Sequence, residues 1–200
     1  MAIYGLFGFG YVIPATFLPL IADAQLHLPA LREWFWPLYG VTTVLATLLL
    51  GAFTVRSNYA GLAGCCLSML LGTALCLYSP TRAGLALGTV LEGAAITPVV
   101  MFTMREAARL APRDPTRLIG APTVAFGIGQ IVGPPVAAVL AARRHGFAAS
   151  LGLAALASVL ALAVALSRRR RGGAFRATRR AAAAGSSRAP SPRSPRTECR

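Results

Sequence analysis

Six stretches of the chain are nearly free of charge over the length of a bilayer crossing: Ala2–Ile21, Trp34–Phe53, Tyr59–Tyr78, Ala83–Met104, Leu118–Ala142 and Phe147–Ser167. An α-helix rises about 1.5 Å per residue, so about 20 apolar residues cross a hydrocarbon core of about 30 Å. Polar breaks separate the stretches, at Ala22–Glu33, Thr54–Asn58, Ser79–Arg82, Arg105–Arg117 and Arg143–Gly146. The pattern predicts an all-α membrane protein with six transmembrane helices within residues 1–171. Residues 172–200 are rich in Arg, Ala, Ser and Pro with few apolar anchors, and are expected to be a disordered tail.

The first stretch carries Gly5, Gly8, Gly10, Pro14 and Pro19 within its span. A membrane helix accommodates such residues where a neighbouring backbone packs closely or where freed carbonyls line a cavity. The fourth stretch repeats the character, with Gly84, Gly88 and a midway Pro98. The third and sixth are Ala-, Leu- and Gly-rich and almost without polar groups. Helices one to three and four to six therefore resemble each other in pattern, as the halves of a 3+3 inverted repeat do. In such a repeat the first helix of each triplet lines a cavity and the third faces lipid.

Composition agrees: 56% of the 200 residues are hydrophobic, and the mean hydropathy is +0.62. The net charge of +14 changes the picture only in its placement. Every basic residue is arginine, and eleven of the twenty follow Ser167. The charge therefore describes a basic segment beside a membrane, and no nucleic-acid partner is expected. One side of the bilayer would carry Arg56, the four arginines of the fourth connection and the tail. The other would carry Arg32, Arg82, Arg143 and Arg144. By the positive-inside rule both termini are expected in the cytoplasm, in a multi-pass protein of the cell (inner) membrane. Arg168–Arg171 would lie against anionic head groups or act as a topology signal. The N-terminus has no basic region before its apolar run, and the run is span-length, so no cleavable signal peptide is expected. Trp34, Trp36 and Tyr39 open the second helix and read as interfacial aromatics. Cys65, Cys66 and Cys76 lie within one span and read as small apolar fillers.

Candidate chemistry is sparse. Glu92 is the one acid inside a span, about 14 Å along its helix and so near mid-membrane. Charged groups at that depth are costly and mark functional candidates. Gly84, Gly88 and Glu92 share one stripe, and Gly84-x-x-x-Gly88 is a close-packing face, so the carboxyl should face protein. It is a candidate proton-pathway group; a protonated acid bonded to a neighbouring helix is the alternative. Gln130 sits between Gly129 and Gly133, just before Pro134 and Pro135, on a bent helix of small cross-section. It is a candidate for bonding a substrate or another helix. Tyr11, Thr16 and Thr97 are further cavity-lining candidates, although Thr in a helix commonly bonds its own preceding turn. Glu106 with Arg105 and Arg109 reads as a gate, a latch or a solvated helix end. There is no phosphate-binding loop, no metal-ligand spacing and no catalytic constellation. No enzyme activity, metal or cofactor is expected.

The segments YGLFGFGYVIPATFLP (Tyr4–Pro19), EWFWPLYGV (Glu33–Val41), REAARLAP (Arg105–Pro112) and TVAFGIGQIVGPPVAA (Thr123–Ala138) carry a resemblance. They are similar to the C-terminal half of the YbfB/YjiJ branch of the major facilitator superfamily of transporters. The resemblance implies a twelve-helix alternating-access carrier, of which helices seven to twelve are here. It also implies a small-molecule substrate and a second wall for the cavity, from another six-helix half or from a second copy of this chain. The alternative is a membrane fragment without transport of its own. The superfamily's cytoplasmic loop motif has an echo at Gly51 and Arg56, but Val55 stands where the acid would be.

Overall fold

The computed structural model describes residues 1–26, 29–52, 57–79, 81–110, 115–144 and 147–186, with backbone only at several helix ends. Its six helices are α1 (Ala2–Leu26), α2 (Pro29–Ala52), α3 (Asn58–Tyr78), α4 (Arg82–Leu110), α5 (Pro115–Arg144) and α6 (Ala148–Ser186). All six are long and apolar enough to cross a membrane. The described residues are helical apart from short connections, as the pattern of apolar runs requires.

The helices overrun their apolar cores. Proline at a first helical position has no N–H to leave unsatisfied, and both α2 and α5 begin on one, at Pro29 and Pro115. The expected connection Ala22–Glu33 is mostly helix as a result, and His27 and Leu28 within it lie outside the described residues. At the other end of α4, Arg-Glu-Ala-Ala-Arg-Leu are strong helix formers and carry the helix past Met104. Arg105, Glu106 and Arg109 therefore sit on a helix rather than in a loop. The last helix overruns its apolar core in the same way. The backbone of α6 stays helical to Ser186 through an Ala- and Arg-rich stretch, where disorder was expected from residue 172. Residues 187–200 and the loop residue Arg56 lie outside the described residues.

Interhelical packing carries the internal repeat. α1 packs on α5 and α6, α4 packs on α2 and α3, and α3 packs on α6. Exchanging α1 with α4, α2 with α5 and α3 with α6 turns this set of contacts into itself. The exchange is imperfect, because α5 also touches α6 while α2 makes no contact with α3 among the described residues. This is the packing of a 3+3 inverted repeat.

The core lies between α1, α3, α4 and α6, where Phe7, Leu62, Cys66, Met69, Val99 and Phe102 are fully or almost fully buried. Small residues let the backbones approach. Ala154, Ala157, Ala161 and Ala165 form a fully or nearly buried stripe on α6. A Cβ on Gly10 would stand 3.3 Å from the Ala154 carbonyl oxygen. α3 and α6, expected at the lipid-facing periphery, are thus packed into the half. α2 and α5 are the least covered, showing Val44, Leu48 and Leu49 on one and Ile128 and Ile131 on the other.

Candidate functional site

α4 meets two helices at the level of Glu92. Toward α3 the contact runs through glycine: a Cβ on Gly72 would lie 2.9 Å from the Gly88 carbonyl oxygen and 3.0 Å from Glu92 Cγ. No larger residue fits that crossing. One position further along α3, Thr73 Oγ1 donates a hydrogen bond of 2.6 Å to Glu92 Oε1. Ser68 adds a second tie, donating to the Leu91 carbonyl at 2.7 Å. Toward α2 the contact is again a glycine. A Cβ on Gly93 would lie 2.8 Å from the Tyr39 carbonyl oxygen, and Thr43 Oγ1 stands 3.0 Å from the Gly93 carbonyl oxygen.

Glu92 is 3% exposed in this three-helix crossing. Its other oxygen, Oε2, has no hydrogen-bond partner among the described residues, and neither does the buried hydroxyl of Tyr39. No guanidinium forms an ion pair with Glu92 among those residues; the ion pair present there joins Arg109 to Glu106. α4 thus holds, midway along its length, a buried carboxyl that is singly bonded and uncompensated among the described residues. Such a group has few stable options: to be protonated, or to acquire a partner.

The second polar focus lies on the opposite side, between α1 and α5. Gln130 Nε2 donates to the Tyr11 hydroxyl oxygen, joining two of the sequence candidates. Glycines again allow the approach. A Cβ on Gly8 would be 2.6 Å from the Phe126 carbonyl oxygen, and one on Gly5 would be 3.3 Å from that of Ala125. A Cβ on Gly129 would meet the Phe9 backbone nitrogen at 2.6 Å, and one on Gly133 would be 3.2 Å from the Phe9 carbonyl oxygen. Tyr4 and Tyr11 stack on the Phe126 ring, with centroids 4.5 and 5.6 Å apart. Pro14 is buried and Pro134 half-buried.

The remaining candidates separate. Thr16 is exposed on α1 and Thr97 is half-buried on α4. Gly84 faces the end of α3, where a Cβ would meet the Ser79 side chain. Thr73, Tyr39, Thr43 and Gly72 were not singled out as site residues from the sequence. Tyr39 and Thr43 lie one turn apart on α2, and that i, i+4 polar pair within an apolar span was the available signal. Trp34 and Trp36 are exposed as interface anchors would be, but the Tyr39 hydroxyl points inward.

At one end of the bundle Glu106 is buried rather than solvated. It accepts Asn58 Nδ2 and Arg109 Nε, each at 2.9 Å, and so ties the end of α4 to the start of α3. A cavity of about 210 Å³ opens beside it, lined in part by Tyr4, Tyr59, Thr103 and Arg168.

No curated protein and no solved structure gives a significant match to this chain. The family described as "Uncharacterised MFS-type transporter YbfB" matches residues 1–166, which takes in the first five spans and most of the sixth. With the packing exchange between its two helix triplets, that match places the chain in the YbfB-type family of the major facilitator superfamily of transporters.

Proposed function

We propose that the chain is the C-terminal half of a secondary carrier for a small molecule, with Glu92 as its proton-coupling group. The reading rests above all on the Glu92 carboxyl: buried at mid-depth, bonded through one oxygen, and unpaired with any cation among the described residues. Protonation removes the cost of a bare charge there, and deprotonation restores it, so occupancy by a proton is worth several kilocalories per mole to the local packing. A carrier uses such a difference to bias one conformation over the other. Tyr11 and Gln130 would face the substrate side, since their pair is half-buried on the seam between α1 and the sparsely covered α5. The second wall of the cavity would come from another six-helix half or a second copy, set against α2 and α5. The membrane would be the cell (inner) membrane, with both ends of the half in the cytoplasm.

The test uses the purified chain in proteoliposomes loaded with a pH-reporting dye and challenged with a panel of small metabolites. At least one compound is expected to change the luminal pH, and Glu92→Gln is expected to abolish that change. Uptake that keeps its pH dependence in Glu92→Gln would remove Glu92 from the coupling step while leaving a permease.

A further inference from the structure

Two buried polar atoms near the centre of the half lack partners among the described residues, and they belong to facing helices. One is Glu92 Oε2 on α4 and the other is the Tyr39 hydroxyl on α2. The crossing that brings them together is tightly fixed. The Tyr39 carbonyl oxygen lies against Gly93, and Thr43, one turn further along α2, reaches the Gly93 carbonyl. Tyr39 therefore stands at the level of Glu92, with its hydroxyl buried, on a helix that packs against both α4 and α1. Unpaired buried polar groups are rare, because each costs on the order of 1–3 kcal/mol. Two of complementary kind at one crossing, a phenolic donor and a carboxyl acceptor, answer each other. A bridging water needs two to four polar partners in a roomy polar site, and the pair supplies two.

We infer that Tyr39 is the second partner of Glu92, joined to it by a hydrogen-bonded water, and that it relays protons between Glu92 and the Tyr11–Gln130 pair. The relay runs across α4, α2 and α1. Gln130 donates its amide N–H to the Tyr11 oxygen, which leaves the Tyr11 phenolic proton free to be given away. In the forward step the bridging water transfers a proton to Oε2 and takes the Tyr39 phenolic proton, and Tyr39 is reprotonated from the Tyr11 side. At the water, Tyr39 and Tyr11 oxygens one O–H bond forms and one breaks, with Tyr11 reprotonated from bulk water at the half-buried seam between α1 and α5. At Oε2 an O–H bond forms and none breaks, so Glu92 ends as the neutral acid with one proton drawn from the bulk. Among the described residues, Thr73 and Cys76 on α3 and Tyr39 on α2 lie at this crossing, and none of them is a cation.

This inference rests on the reading of Glu92 as the coupling group, but it is tested without transport. The difference between infrared spectra of the wild-type chain and Glu92→Gln isolates the carboxyl stretch of Glu92. Tyr39→Phe keeps the ring and removes only the hydroxyl. It is expected to move the Glu92 band to higher frequency, as loss of a hydrogen bond does, and to shift the pH at which that band titrates. Thr73→Val, which removes the direct bond, calibrates the size of a one-bond shift in the same chain. A Glu92 band in Tyr39→Phe with unchanged frequency and titration would overturn the pairing. Loss of proton coupling is a separate readout: Glu92→Gln that leaves pH-dependent uptake intact sinks the coupling role, and the band shift still decides whether Tyr39 is the partner.

Discussion

Thr73 holds Glu92 by a single bond of 2.6 Å, and the value of that bond can be measured. Hydrogen bonds between membrane helices average about 0.6 kcal/mol and reach about 1.7. This one should lie at the top of that range, because its loss leaves neither carboxyl oxygen paired among the described residues. Thr73→Val conserves volume, so no cavity term enters. The expected destabilisation is about 1.5 kcal/mol, read as an earlier midpoint when the chain is unfolded by increasing SDS in mixed micelles. Thr16→Val, at an exposed position, should leave the midpoint in place. The two threonines also show what a sequence reader can and cannot see. Glu92 stands out as the lone acid within a span. Thr73 does not, because a threonine in a helix ordinarily bonds its own preceding turn, as Thr42 and Thr89 do here. Only the crossing of α3 with α4 turns Thr73 outward to another helix.

Between elements, glycine decides which helices can meet. The spacing Gly84-x-x-x-Gly88 is legible as a packing face, and the structure uses it in part. Gly88 receives α3 at Gly72, while Gly84 receives the end of α3 at Ser79. The partner glycines Gly72 and Gly93 are not legible, since nothing in a linear sequence says which isolated glycine faces a neighbour. A substitution pair separates contact from helix propensity. A Cβ on Gly88 would be 3.0 Å from the Gly72 carbonyl oxygen, whereas one on Gly64 would meet nothing within 4 Å. Overpacking of that kind costs about 1–3 kcal/mol. Gly88→Val should therefore destabilise the chain by at least that much more than Gly64→Val, and should also shift the Glu92 infrared band by parting α3 from α4. Equal midpoints for the two variants would mean that α3 and α4 do not meet there. The ends of the elements were the other illegible feature. Polarity marks where an apolar run stops, but Arg, Glu and Ala favour a helix regardless of solvent, so α4 and α6 continue beyond their apolar cores.

Across the whole molecule, one cavity fixes the sense of the helices relative to each other. It gathers Tyr4 from the start of α1, Tyr59 from the start of α3, Glu106 from the end of α4 and Arg168 from α6. Those four points therefore share one end of the bundle, and the chain runs strictly up and down. Its orientation in the bilayer is then a single binary choice, which the arginines bias. Arg105 and Arg109 on α4 and Arg168–Arg170 on α6 lie at the cavity end, whereas Arg82 and Arg143 lie at the other. By the positive-inside rule the cavity end is expected in the cytoplasm. Two exposed positions test this: Thr81, before α4, and Ala108, near its end. The native Cys65, Cys66 and Cys76 are buried and should stay silent, so only Cys199 needs replacing by Ser. In intact cells Thr81→Cys should react with a membrane-impermeant maleimide, and Ala108→Cys should react only after permeabilisation. The opposite pattern would invert the orientation and leave the helix packing untouched, because the contacts among helices α1 to α6 are internal to the chain.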